Sequence, residues 1–137
     1  MEHWNKYQIN DLNSIISKYP KGGSVLDLGA GSGSTNELFD EQWDWIGIDI
    51  EPENEKITKG NAHNLAFPDN HFEVVISIAV FEHLHSPWIA IKEISRVLKP
   101  GGYFLSFSSP RLYHAIAMSC QIAGFEIRDM INWTYTQ

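Results

Sequence analysis

The chain has 137 residues, 43% of them apolar, with seven Phe, five Trp and five Tyr, enough for one core, so a single domain over residues 1–137 is expected. A formal net charge of −7 with scattered Lys and Arg disfavours unaided binding to a nucleic-acid backbone, although it does not exclude a local basic patch. The lone Cys120 excludes an internal disulfide, and the absence of a basic-then-apolar leader or a long apolar run argues against secretion and membrane spanning, so a cytoplasmic protein is expected.

In chain order, Leu12, Ile15, Ile16 and Tyr19 share one helical face ahead of Pro20 and Gly22, which stop the helix. Ser24 to Leu28, Trp45 to Asp49 and Phe72 to Ile78 are short apolar runs with β-branched residues, the pattern of strands buried on both faces of a parallel sheet. Ser86 and Pro87 read as a hydroxyl N-cap with proline at the first helical position, and Trp88, Ile91, Ile94 and Leu98 mark the helix face that follows. Lys99 to Gly102 end that helix, and Tyr103 to Phe107 reads as the next strand. Ser109 and Pro110 then restart a helix that runs to Ala123, and Phe125 to Trp133 reads as a last strand. Strands alternating with helices predict a doubly wound α/β fold, mostly parallel, with helices on both faces and ligands at the carboxyl ends of the strands.

The segment VLDLGAGSG, Val25 to Gly33, carries the chemistry, because an apolar strand runs directly into Gly29, Gly31 and Gly33. Glycine permits a sharp turn and a close backbone approach to a ligand. The spacing is G-x-G-x-G, with Ser34 where a dinucleotide fingerprint would have its third glycine.

This segment resembles the cofactor loop of class I S-adenosylmethionine-dependent methyltransferases, and the resemblance continues through residues 20 to 108. It implies a Rossmann-like methyltransferase fold, S-adenosyl-L-methionine as cofactor, and direct displacement of the methyl group onto an unidentified acceptor. Gly29, Ala30, Gly31 and Gly33 would form the loop, with Asp27 near the methionine ammonium and Asp49 on the ribose hydroxyls. Ile50 would lie against the adenine, and Asn61, in place of the usual acid, with the amide of Ala62 would read the adenine edge; Ile78 joins the cofactor set. The segment Ala79 to Gly102, with Glu82, His83 and Leu84, resembles the small-molecule branch. There His83 is the candidate catalytic base, beside the reading of a merely structural histidine.

Residues 96–135 also resemble phage DNA amino-methyltransferases in RLYH and AGFEIRD, but Ser77, Ile78, Ala79 and Val80 stand where those enzymes carry Asp or Asn, Pro, Pro and an aromatic residue. DNA methylation is therefore disfavoured. His63, His71 and His85 lack a ligand pattern with acidic neighbours, so no metal site is expected. Only seven residues separate Asp49 from Ile57, too few for a crossover helix. Relative to the family, the C-terminus is expected to be shortened, with one strand in place of a closing hairpin and no lid segment. Two consequences are expected: a homodimer through the open edge, or, as the alternative to an enzyme, a minimal cofactor-binding or interaction domain with little transfer activity.

Overall fold

The computed structural model describes residues 6–108 and 110–128. A first helix, α1 (Lys6–Ile16), precedes β1 (Ser24–Leu28), β2 (Asp44–Asp49), β3 (Ile57–Lys59) and β4 (Phe72–Ile78); α2 (Pro87–Val97), β5 (Leu98–Phe107) and α3 (Tyr113–Ile122) follow. The sheet runs β3-β2-β1-β4-β5 with every pairing parallel. Because β1 lies between β2 and β4, the strand order reverses beside it, which opens a crevice at its carboxyl end.

Alternation along the strands splits the core into two layers. Val25, Val74 and Ile76 face one side, where Leu12, Phe39 and Trp43 cover them and Ile15, Ile16 and Tyr19 pack alongside. Leu26, Leu28, Val75 and Ile48 face the other, under Ala90, Ile91, Ile94 and Val97 of α2 and Cys120 of α3. Each strand is therefore apolar on both faces, as a sheet with helices on each side requires.

Three connections are leaner than a doubly wound fold usually has. A 3-10 turn over Ser34–Leu38 stands between β1 and β2. Residues 50–56 bring the chain from β2 to its parallel neighbour β3 without a helix, as the spacing predicts, and residues 60–71 carry it from β3 past β2 and β1 to β4, also without a helix. The second stretch is held by side chains instead: Arg96 on α2 donates to the carbonyls of Phe67 and Leu65 at 2.8 Å each and pairs with Asp69 at 2.9 Å. Glu93 completes the clamp by accepting from the Leu65 amide at 2.8 Å and from Arg96 Nε at 2.7 Å.

Some local details differ from the sequence expectation. Ser86 does not cap α2 with its side chain. Its carbonyl accepts from the Ile89 and Ala90 amides, while its hydroxyl meets His85 Nδ1 at 3.0 Å. The Lys99 to Gly102 stretch lies within β5 as an irregularity of register between Phe72 and Val74, since Gly101 at φ 80° lets the strand continue past Pro100. Phe125 to Arg128 carry no strand, and the remainder of the expected last strand, including Ile131 and Trp133, lies outside the described residues. Among the described residues no helix is long and apolar enough to cross a membrane.

Candidate functional site

At the carboxyl end of β1 the chain turns through three left-handed glycines, Gly29 at φ 72°, Gly31 at φ 55° and Gly33 at φ 84°. Side chains other than glycine pay about 1 kcal/mol or more for that backbone region. Gly29 has a second reason: a β-carbon there would stand 2.4 Å from Val80 Cγ2, so the loop after β1 lies directly against the loop after β4. A β-carbon on Gly31 would meet nothing within 4 Å, which leaves that backbone open to a ligand. The loop is anchored from behind, as the amides of Gly29 and Ala30 both donate to the Ile48 carbonyl at 2.9 Å.

Two carboxylates flank this loop. Asp49 ends β2; its Oδ2 accepts from the Gly31 amide at 3.0 Å and its Oδ1 from the Glu51 amide at 3.1 Å. Each oxygen keeps a further lone pair, so the group can still take hydroxyl donors. Asp27 sits within β1 and is only 1% exposed. Burial pushes its carboxyl up to about 6, the nearby Asp49 charge adds to that, and a hydrogen bond from Thr35 works against both. Thr35 Oγ1 in turn accepts from Trp45 Nε1 at 2.9 Å. Neither Thr35 nor Trp45 is marked by a sequence motif, since both reach Asp27 only through the fold.

The remaining candidates divide into exposed groups and core. Ile50 is 60% exposed at the end of β2, and Asn61 is exposed after β3. Ala62 is buried in the α2-side core, and the Ile78 side chain packs with the α1-side cluster, so these two leave backbone rather than side chain for a ligand. The Asn61 amide oxygen accepts from the His63 backbone and meets His63 Nδ1 at 2.9 Å, while His63 Nε2 accepts from the Ser86 amide at 3.0 Å. That pair of bonds needs the neutral ring protonated on Nδ1, and it ties the loop after β3 to the start of α2. Sequence reasoning weighed His63 only as a metal ligand.

Beyond β4 the chain enters a left-handed residue that is not glycine, Ala79 at φ 54°, with its amide bonded to the Phe107 carbonyl at 2.6 Å. The strained turn brings Val80 onto Gly29 and leads into the 3-10 turn Phe81–His83, on which His83 is exposed. A cavity of about 860 Å³ lies elsewhere, between α2, α3 and the loop after β3, lined by His63, Trp88, Lys92 and Ile122 among others. None of Asp27, Asp49 or the glycines lines it, so it is separate from the crevice at the strand ends.

The arrangement suits a ligand with a cationic end and a vicinal diol: a buried carboxylate, a second carboxylate with free lone pairs, and open space beside the Gly31 backbone.

Residues 26–106, more than half of the chain, match the family described as Methyltransferase domain. Over 102 residues the chain is 32% identical to the 2-methyl-6-phytyl-1,4-hydroquinone methyltransferase of Synechocystis, covering 64% of this chain and 32% of that protein. Across the curated relatives with the strongest matches, the chain spans from 31% to 50% of their length. Among solved structures, a SAM-dependent methyltransferase from Aquifex aeolicus aligns with a TM-score of 0.66 at 16% identity, covering 92% of this chain and 91% of that one. The cyclase SpnF aligns with a TM-score of 0.70 at 22% identity, covering 92% of this chain and 61% of that one. At these identities the structural likenesses establish the fold.

Proposed function

The chain belongs to the methyltransferase domain family, and from that premise we propose that it binds S-adenosyl-L-methionine at the carboxyl ends of β1 and β2 and transfers the methyl group to an acceptor still to be identified. The observation that carries this reading is Asp49 bonded to the Gly31 amide of the left-handed loop, with the buried Asp27 on the strand that leads into that loop. Bound there, the cofactor supplies an electrophilic methyl on a sulfonium.

The protein's own residues do the rest. Asp49 accepts the ribose hydroxyls while it stays fixed to the Gly31 and Glu51 amides. Asp27 presents negative charge from beneath the loop to the ammonium of the amino-acid end, an attraction that low dielectric strengthens. Ile50 offers an apolar surface to the adenine, with Asn61 and the Ala62 amide at its edge. Alignment of acceptor and methyl group then accounts for most of the rate, and His83, on the turn after β4, takes the acceptor's proton where one must leave.

A second reading, a cofactor-binding domain with little transfer activity, draws support from the short connections at residues 50–56 and 60–71, which supply no helix to roof an acceptor. The fold is also shared with a cyclase, so fold alone does not name the reaction. We further read the protein as cytoplasmic and as self-associating, on its lone cysteine and on the apolar residues near its C-terminus.

Calorimetry with S-adenosylhomocysteine and with NAD tests the cofactor: the former binds and the latter does not, and tighter NAD binding would end the reading. Asp49→Ala weakens S-adenosylhomocysteine by about 1.5–3 kcal/mol, the scale of hydrogen bonds to a charged group. Labelled cofactor incubated with cell extract then separates transferase from binder by whether any fraction gains label.

A further inference from the structure

Three residues from three successive elements form a directed chain of hydrogen bonds beneath the glycine loop. The Trp45 indole nitrogen donates to Thr35 Oγ1 at 2.9 Å, and Thr35 Oγ1 donates to Asp27 Oδ2. Direction is fixed by chemistry. An indole N–H can only donate, so Thr35 must accept from it, and the single hydroxyl proton of Thr35 is left for Asp27. A protonated Asp27 using that oxygen to donate would displace the hydroxyl proton into a site where Thr35 is 3% exposed and water is scarce. The chain of bonds therefore favours the carboxylate over the acid.

The indole is held in place by glycines that are not part of the loop's turn chemistry alone. A β-carbon on Gly47 would stand 2.3 Å from Trp45 Cη2, and one on Gly33 would stand 3.4 Å from the same atom. The ring thus packs against β2 and against the last glycine of the loop at once, so its N–H, the hydroxyl and the loop share one geometry. Asp49, at the end of β2, is the charged group that opposes ionisation of Asp27 from across this arrangement.

We propose that Thr35 and Trp45 are positioning residues for the amino-acid end of the cofactor: by donating toward Asp27 they hold its carboxylate anionic and in one orientation beneath the loop, ready for a cationic ammonium. This rests on the cofactor reading given above. Neither residue needs to touch the ligand, since both act through Asp27.

The test is S-adenosylhomocysteine affinity by calorimetry from pH 5 to 8, for the parent, Thr35→Val, Thr35→Ser and Trp45→Phe proteins, alongside an NMR titration of the Asp27 carboxyl in ligand-free protein. In the parent, affinity rises with pH as Asp27 ionises and then levels. Thr35→Val moves both the affinity midpoint and the carboxyl midpoint to higher pH and lowers affinity at neutral pH by roughly tenfold, the scale of one charge-assisted hydrogen bond. Thr35→Ser restores both midpoints, and Trp45→Phe shifts them in the same direction by less, which serves should the valine variant fold poorly. A loss of affinity equal at every pH, an unmoved carboxyl midpoint, or failure of serine to rescue would overturn the proposal. Tight binding with those outcomes refutes the relay alone, whereas a parent protein that binds no S-adenosylhomocysteine refutes the cofactor reading and the proposal with it.

Discussion

Asp27 carries a buried carboxyl whose ionisation the fold itself opposes. Its carboxyl stands at about 6 in the folded chain against 3.8 ordinarily, chiefly because burial penalises the charge. Between those values the folded state binds more protons than the unfolded one, so stability falls as pH rises through the window. The contribution is complete below about pH 4 and lost above about pH 6, a change of about 3 kcal/mol. Urea denaturation of the parent and Asp27→Asn proteins at a series of pH values measures it: the parent loses about 3 kcal/mol relative to the variant as pH rises through that window, and a difference constant with pH would contradict the assignment. His83 raises a separate question at the same scale, because it is exposed on its turn and free to meet an acceptor. Once an acceptor is identified, His83→Asn lowers turnover by about 10²-fold or more if the ring is the base, while S-adenosylhomocysteine affinity stays within a factor of about two. Equal loss of both would make it a structural histidine.

At the level of elements, the loop of residues 60–71 keeps its place without a helix because α2 reaches out to it. Arg96 satisfies the carbonyls of Leu65 and Phe67, and Glu93 satisfies the Leu65 amide, so one i,i+3 pair on α2 stands in for the backbone bonds that a helix would make. The guanidinium beside Glu93 holds that carboxyl below its usual range. Arg96→Ala strips the clamp and lowers stability by about 1.5–3 kcal/mol. Hydrogen exchange locates the loss: the Leu65 amide, which depends on the clamp, exchanges faster, while amides of β1 and β4 follow only the global change. Uniform acceleration across the sheet would mean that Arg96 serves the whole core and not this loop.

For the molecule as a whole, the exposed apolar surface is concentrated on α2 and α3, with Trp88, Ile89, Met118 and Ile122 all more than a third exposed, and Ile127 continues it past α3. Ile131 and Trp133, which the sequence reading assigns to an open edge, lie outside the described residues. A small domain gains stability by burying such surface against another copy. Light scattering coupled to size exclusion is expected to give a dimer at tens of micromolar protein that dissociates in Trp133→Lys. A monomer in the parent would dispose of self-association, and a dimer indifferent to Trp133→Lys would move the interface away from the C-terminal segment.

What the sequence determined by itself was the main elements that local pattern encodes, though not every cap and boundary. Alternation and apolar runs placed β1, β2 and β4; the Leu12, Ile15, Ile16 face placed α1; Gly29, Gly31 and Gly33 announced a sharp turn, and the seven residues after Asp49 left no room for a helix. Asp27 and Asp49 were legible through the resemblance of their segments to the family, in keeping with the rule that ligands bind at the carboxyl ends of parallel strands. Tertiary structure alone decided which groups meet across the sheet. Thr35 reaches Asp27 because a 3-10 turn folds back over β1, and Trp45 reaches Thr35 because β2 lies beside β1 in the register that pairs Val25 with Trp45. His63 closes on the Ser86 amide through the same kind of distant approach, 23 positions apart in the chain. Local propensity carries no information about partners that come together only when strands pair and pack, and the bonds that tune Asp27 are of that kind.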